Sequence, residues 1–242
     1  MNYKIWIVAA VALVIIYGAY CVYLFWSAAQ KSAPLVEAAQ PFNREDPSYS
    51  QSILVLGDSL AVGVGAPANK TIAARLADVM HANVANFGKS GAHTSDLMQQ
   101  MALAQKSHYD LILMHMGAND IIQLMSISAA ALNMDRALEK AKEKSDHVVF
   151  LFAGNIGDAP LWPWPFKSIY KSKSLDLRAR YAQLALKHDA LFIDIYAKGP
   201  VFESDPKRYY APDNLHLSAD GYEKWFEFIT ESVQEKWPAL LR

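Results

Sequence analysis

The stretch ILVLGDSLAVGVGA, residues 53–66, decides the fold of this chain. Its first four residues predict a buried strand, because a short, continuous apolar run bounded by turn residues is typical of a strand covered on both faces. The run ends at Gly57, where the chain turns, and the next hydroxyl belongs to Ser59. Ser59 has two interpretations: it caps the following helix, or it is a nucleophile at a strand end. The rest of the sequence has to distinguish them.

Strand-like and helical segments alternate from this point onward. The alternation predicts a three-layer α/β/α domain with a five-stranded, mainly parallel sheet. The predicted strands are 53–56, 82–87, 110–116, 147–153 and 190–195. The predicted helices are 71–80, 94–105, 127–144, 175–188 and 218–237. Sites in such sheets open at the carboxyl ends of the strands, which is where Ser59 is placed.

Composition excludes several classes of function. The 242 residues include 23 basic and 24 acidic side chains, for a net charge of -1. With no basic surplus to neutralise phosphates, a nucleic-acid partner is not expected. The only cysteine is Cys21, which excludes an intramolecular disulfide and a thiolate zinc cluster.

The N-terminal segment differs from the remainder. No charged residue occurs from Ile5 to Trp26, a run of about 33 Å at about 1.5 Å per residue, compared with about 30 Å for a bilayer core. Residues 1–27 are therefore predicted to be a transmembrane anchor. A signal peptide cleaved after SAA, residues 27–29, and a buried helix of the soluble domain are the alternatives.

A linker and one further domain complete the predicted organisation. Residues 28–50 contain three prolines and no sustained period, so they are predicted to be a tether, and residues 51–242 the domain. The short, signal-like head before the apolar run favours an extracytoplasmic domain, periplasmic in a bacterium, although the few flanking charges do not fix the orientation.

Residues suited to serine chemistry follow several of the predicted strands. A serine nucleophile needs a base, a group that orients the base, and donors for the oxyanion. Gly88 follows the second strand in NFGKSG, and Asn119 follows the third in GAND. Asp213 and His216 stand three positions apart after the fifth strand, in DNLH. Each also has an ordinary structural interpretation, as a turn glycine, a helix cap, a loop carboxylate or a structural histidine, but their joint occurrence at one sheet edge favours a catalytic site.

This combination resembles the SGNH hydrolases, also called the GDSL esterase/lipase family. The resemblance covers most of residues 52–237 and includes all four sequence blocks of the family: GDSL, NFGKSG, GAND and DNLH. It implies a flavodoxin-like fold with Ser59 as nucleophile, His216 as base and Asp213 as its partner. It also implies an oxyanion hole made by the Ser59 N–H, the Gly88 N–H and the Asn119 amide, with no metal or cofactor.

One long segment, residues 154–174, is not a family block. It contains Trp162, Trp164 and Phe166, alternating with prolines and followed by lysines. Two interpretations stay open: a stiff wall that shapes an acyl pocket or touches lipid, or a satellite cluster under a long loop. The remaining histidines, including His93 and His115, show no metal-binding spacing.

The expected function is hydrolysis of carboxylic esters by a membrane-tethered serine esterase, lysophospholipase or thioesterase, acting on a small-molecule, lipid or glycan ester. An O-acetyl esterase of cell-envelope polysaccharide or peptidoglycan is the alternative within the enzyme class, and it predicts a shallow polar groove. A catalytically silent lipid- or glycan-binding domain and a nucleotide-binding protein are alternatives of other classes. The latter is disfavoured because the phosphate-loop and dinucleotide motifs are absent from the sequence.

Overall fold

The computed structural model describes residues 3–241, and its sheet has five parallel strands in the order β2-β1-β3-β4-β5. The strands are β1 (Gln51–Gly57), β2 (Ala82–Asn86), β3 (Leu111–His115), β4 (Val148–Phe152) and β5 (Leu191–Asp194). Most side chains of β1, β3 and β4 are buried on both faces, as their continuous apolar runs predict. The predicted α/β/α class is confirmed.

Helices cover both faces of the sheet and create two cores. The helices are α1 (Tyr3–Ala38), α2 (Ser59–Val62), α3 (Ile72–Met80), α4 (Leu97–Ala102), α5 (Ala118–Ile122), α6 (Ile127–Lys142), α7 (Phe166–Lys187), α8 (Gly199–Ser204), α9 (Pro206–Tyr209) and α10 (Ala219–Lys236). One core contains residues of α3 and α10, and the other contains residues of α4, α6 and α7. Alternate residues of β1 belong to opposite cores, with Ile53 in the first and Leu54 in the second.

Helix α7 is the largest departure from the predicted elements within the domain. The sequence predicts a helix over 175–188, whereas α7 begins at Phe166. Its buried residues Tyr170, Ser174, Leu177, Tyr181 and Ala185 recur every three or four positions. In the first turns of α7 only one side of the helix packs against the domain. The lysines and serines between the buried residues therefore conceal the stripe in the sequence. The short helices α8 and α9 were not predicted.

Helix α1 also extends further than predicted, through Ala38 and past Pro34. It is long and apolar enough to cross a membrane, with a mean hydropathy of 2.5 in its most apolar window. The first part of the predicted tether, residues 28–38, is therefore helical. Alanine-rich sequence favours this continuation, and half-buried side chains at Ala28, Ser32 and Leu35 show that one face of it packs against the domain.

The remainder of the predicted tether lies against the edge strand β2. Arg44 forms an antiparallel bridge with Val84, with N–O distances of 3.1 and 2.9 Å. The Asn43 side chain accepts the Asn86 N–H at 2.8 Å. This segment thereby supplies backbone and side-chain partners to strand groups that would otherwise face solvent.

Gly65 brings the loop after Ser59 against the loop that carries His216. A Cβ at position 65 would lie 2.3 Å from the carbonyl oxygen of Leu217, which is a backbone atom and has no rotamer to change. The φ of Gly65 is +97°, in the left-handed region that favours glycine. Beside it, the buried Tyr222 hydroxyl donates to the Val64 carbonyl at 3.0 Å. These contacts set the separation of the two loops.

We expect Gly65→Ala to destabilise the fold more than Gly91→Ala does. Gly91 also has a positive φ, +79°, but an added Cβ there meets nothing within 4 Å. Both variants incur backbone strain of about 1–3 kcal/mol, and the clash at position 65 adds about 1–3 kcal/mol. Denaturant unfolding of the full chain in detergent micelles, followed by tryptophan fluorescence, measures the difference. Equal losses in the two variants would contradict the steric argument.

Candidate active site

Ser59 is the first residue of α2, directly beyond the carboxyl end of β1. The residue that caps α2 is Asp58, whose carboxylate accepts the Leu60 N–H at 3.0 Å. The capping interpretation of Ser59 is therefore wrong. The Ser59 side chain is half-buried and lines a cavity at the sheet edge. This position is compatible with a nucleophile, and that role stays a prediction.

A buried pair lies beneath Ser59. Asp58 and His115 are 0% and 2% exposed, and Asp58 Oδ1 lies 3.1 Å from His115 Nδ1. The Asp58 N–H also donates to the His115 carbonyl, at 3.2 Å. Together these contacts hold the turn after β1 to the end of β3. Sequence reasoning gave His115 no role, because nothing in its position along the chain signals a partner so distant in sequence.

His216 and Asp213 form the second pair of the site. His216 Nδ1 lies 2.6 Å from Asp213 Oδ2, and Asp213 Oδ1 accepts the N–H groups of Leu215 and His216, each at 3.0 Å. Burial raises the pKa of Asp213, but the hydrogen bonds and charge of His216 and the two N–H groups outweigh burial and hold that pKa below its usual value of 3.8. With Nδ1 directed at Asp213, Nε2 is the nitrogen left for a substrate or for Ser59.

Ser59, Asn119 and His216 line one cavity of about 360 Å³. The other lining side chains are mainly apolar, and they include Val36 of α1, Leu60, Ile122, Ile156, Leu215, Leu217 and Trp225. The structure thus brings together the predicted nucleophile, base and amide donor. Over residues 3–241 no hydrogen bond joins the Ser59 hydroxyl to His216.

Gly88 is placed differently from the other predicted site residues. Its N–H donates to the Asn86 side chain at 2.9 Å, and the Asn86 amide in turn donates to the Ala61 carbonyl at 2.8 Å. A Cβ on Gly88 would lie 2.8 Å from the Ala61 Cβ, so glycine is needed for the approach of this loop to α2. Further along the same loop, Ser90 and Gly91 line the cavity. Sequence reasoning did not single out either residue.

Asn119 is the second residue of α5, and its side chain contacts the loop that follows β2. Its Nδ2 donates to the Ala92 carbonyl at 2.9 Å, which occupies one of the two amide hydrogens. The other hydrogen remains available on a residue that lines the cavity. Within residues 3–241, no cluster of three or more His, Cys, Asp or Glu side chains could hold a metal ion.

The aromatic segment after β4 lies between α1 and the site. The Trp162 ring packs on Tyr170, with centroids 4.6 Å apart, and on Phe25 of α1, with centroids 5.9 Å apart. The Phe166 ring lies 5.1 Å from that of Phe25. In contrast, Trp164 is 70% exposed. The segment therefore combines a packed cluster with one aromatic side chain that projects outward.

A parallel sheet in the order β2-β1-β3-β4-β5, with this cavity at the carboxyl ends of its strands, defines a doubly wound α/β/α fold with its candidate site at the usual edge. Residues 55–224 match the model of the GDSL-like Lipase/Acylhydrolase family, and the chain belongs to that family. It is a hydrolase of the esterase/lipase type. No protein of curated function matches the sequence closely enough to count as a relative.

Three solved structures illustrate the likeness in fold. A lipolytic G-D-S-L family protein from Veillonella parvula aligns with a TM-score of 0.58 and 20% identity, covering 78% of this chain and 100% of its own. The extracellular lipase of Streptomyces rimosus aligns with a TM-score of 0.59 and 19% identity, covering 76% of this chain and 100% of its own. The acetylxylan esterase Axe2 from Geobacillus stearothermophilus aligns with a TM-score of 0.59 and 15% identity, covering 76% of this chain and 94% of its own. At these identities the likeness concerns the fold alone.

The lowered pKa of Asp213 has a consequence for acid stability. A carboxylate with a lowered pKa stabilises the folded state above its unfolded pKa, and this stabilisation is lost as the pH falls through the folded pKa. We expect the difference in melting temperature between wild type and Asp213→Asn to shrink as the pH falls from about 5 to about 3. The exposed Asp176→Asn is the control and should show little difference at any pH. A difference for Asp213→Asn that stays constant over this interval would contradict the sign of the shift.

Proposed function

We propose that the protein is a membrane-anchored serine esterase that cleaves carboxylic esters with Ser59, His216 and Asp213. The observation that carries this proposal is that His216, hydrogen-bonded to the buried Asp213, borders the same cavity as Ser59. The half-buried position of Ser59 at a strand end also supports it, because Asp58 already caps the helix.

The proposed reaction has two steps. Ser59 Oγ attacks the ester carbonyl carbon while His216 Nε2 takes the hydroxyl proton; the bond from carbon to the alcohol oxygen then breaks, and His216 returns the proton to the departing alcohol. Water then attacks the acyl-serine by the same route and releases the acid and free Ser59. Asp213 remains ionised and stabilises the imidazolium, a role that its lowered pKa supports.

The oxyanion donors that we propose are the Ser59 N–H and the Asn119 amide. Ser59 is in the first turn of α2, where backbone N–H groups lack a partner within the helix. The Gly88 N–H already has an acceptor in Asn86 and would have to exchange it for the oxyanion. We therefore assign Gly88 chiefly to the packing of its loop on α2.

The cavity lining supports an acyl ester as substrate. Leu60, Ile122 and Ile156 are among its walls, and apolar walls stabilise an acyl chain by removing it from water. The alternative, an O-acetyl esterase of cell-envelope glycans, requires a polar surface that binds sugar hydroxyls. The apolar lining therefore favours an ester with an apolar acyl chain over an O-acetylated glycan.

Helix α1 is proposed as a retained anchor, with the domain on the extracytoplasmic side. Cleavage after residue 29 would remove Phe25, which packs against Trp162 and Phe166. A removable signal peptide has no need of such contacts with the mature domain, so they support retention.

Replacing the nucleophile gives the most direct test. Ser59→Ala should abolish hydrolysis of p-nitrophenyl acetate while leaving the circular dichroism spectrum unchanged, because the lost hydroxyl contributes little to packing. Ser90→Ala removes another hydroxyl-bearing side chain from the cavity wall and is the matched control, which should retain most activity. Wild-type turnover by Ser59→Ala would exclude Ser59 from the mechanism.

Removing one oxyanion donor should act on the transition state. Asn119→Ala should lower kcat by about 10²–10³, or about 2.7–4 kcal/mol, with a much smaller change in KM. Steady-state kinetics with the same aryl ester separate the two parameters. A change confined to KM would assign Asn119 to substrate binding in the ground state.

A further inference from the structure

We propose that α1 forms one wall of an acyl-chain groove that leads from the bilayer to Ser59, and that the substrate is a membrane-lipid ester with a long acyl chain. The proposal rests on the proposed esterase function and names the substrate class of that same site. It assigns to α1 a part in substrate binding beyond anchoring.

Helix α1 has two parts with different surroundings. Its described side chains are all exposed up to Tyr20, and the part from Tyr3 to Tyr20 is about 27 Å long at about 1.5 Å per residue, close to the thickness of a bilayer core of about 30 Å. From Cys21 onward one stripe is buried or half-buried at spacings of three or four residues. This stripe contains Cys21, Leu24, Phe25, Ala28, Ser32 and Leu35.

The second part of α1 lines a groove beside the triad loop. A cavity of about 270 Å³ lies between Phe25, Ala28, Ala29 and Ser32 on the helix and Leu161, Trp162, Asp213 and Leu215 on the domain. Six of these eight side chains are apolar, and the carboxylate of Asp213 is already bonded to His216. The small side chains at 28, 29 and 32 leave the space that the groove occupies.

This groove leads to the catalytic cavity. Leu215 lines both spaces, and Val36, one turn beyond Ser32 on α1, lines the cavity that contains Ser59. From Phe25 to Val36 the helix spans about 16 Å at about 1.5 Å per residue, which is comparable to a long acyl chain. A short acyl group fits within the catalytic cavity alone and has no use for this groove.

The other end of the groove is directed toward the exposed apolar part of α1. The Tyr17 hydroxyl donates to the backbone carbonyl of Trp164, so the backbone at Trp164, whose side chain is exposed, lies against the exposed apolar part of α1. Exposed Ile169, Lys167 and Lys171 follow on the first turns of α7. An aromatic ring with neighbouring lysines suits the boundary between acyl chains and anionic headgroups, and this location makes the bilayer the source of the acyl chain.

Filling the groove from α1 tests the proposal. The full chain is reconstituted in vesicles of phosphatidylethanolamine and phosphatidylglycerol, and hydrolysis of p-nitrophenyl laurate and p-nitrophenyl acetate is compared. Ala28→Trp should lower kcat/KM for laurate by about tenfold or more, because a hydrophobic pocket distinguishes acyl length methylene by methylene. Acetate turnover should stay within about twofold, which also reports that the domain is folded.

Two further variants control for position. Ser32→Phe fills the groove one turn away and should repeat the selective loss of laurate turnover. Ala33→Trp places the same bulk as the first variant on the exposed side of α1 and should change neither substrate. Agreement among the three variants would link the loss to the groove rather than to the presence of a large side chain on α1.

The outcomes separate this inference from the esterase proposal. The proposed groove would be rejected if Ala28→Trp and Ser32→Phe left the ratio of laurate to acetate turnover unchanged, whether both activities were retained or both were lost equally. It would also be rejected if the wild-type chain cleaved acetate but not laurate. In each of those cases Ser59-dependent hydrolysis would still support the esterase. Absence of any Ser59-dependent hydrolysis would reject the proposed function, and the groove with it.

Discussion

The buried Asp58 carboxylate is the interaction on which the sheet edge depends. A single oxygen, Oδ1, accepts the Leu60 N–H in the first turn of α2 and lies 3.1 Å from His115 Nδ1. It therefore joins the end of β1, the start of α2 and the end of β3 at one point. Because leaving a buried hydrogen-bonding group without its partner costs about 1–3 kcal/mol, these contacts restrict the position of Ser59 between the three elements.

A second set of contacts fixes the opposite side of the cavity. The loop between α9 and α10 is held by the hydrogen bonds that Asp213 accepts from its backbone and by the approach of Leu217 to Gly65. Neither set requires a substrate. The cavity walls are consequently formed before any ligand arrives, which reduces the entropy lost on binding and suits a site whose groups act in one geometry.

The sequence predicts those parts of the structure that depend on local pattern. All five strands are predicted, since most are short apolar runs and each follows a turn or a helix. Helices α3, α6 and α10 begin next to capping side chains at Thr71, Ser126 and Ser218. The start of α7 was missed because lysines and serines hide its buried stripe. The extension of α1 was missed because its docking face is determined by Trp162 and Phe166, residues far along the chain.

The same distinction holds within the site. The residue types of Ser59, Asn119, Asp213 and His216 identified them as candidates, and three of the four border the cavity. The Asn86 side chain that occupies the Gly88 N–H could not be foreseen, because it depends on how closely the loop approaches Ala61. His115 and Val36 were missed for a related reason. His115 contacts Asp58, and Val36 lines the cavity with Ser59, only because folding brings these distant parts of the chain together.

The bridge between Arg44 and Val84 has a consequence for a chain held in the bilayer by α1, as we propose. An anchored protein diffuses in two dimensions, so copies of it meet far more often, and in more restricted orientations, than they would in free solution. An open strand edge under those conditions is a template for pairing between neighbouring chains. With the segment after α1 laid along β2, the chain covers part of that edge itself. The proposed anchor and the segment that covers the sheet edge are thus parts of one continuous stretch of chain.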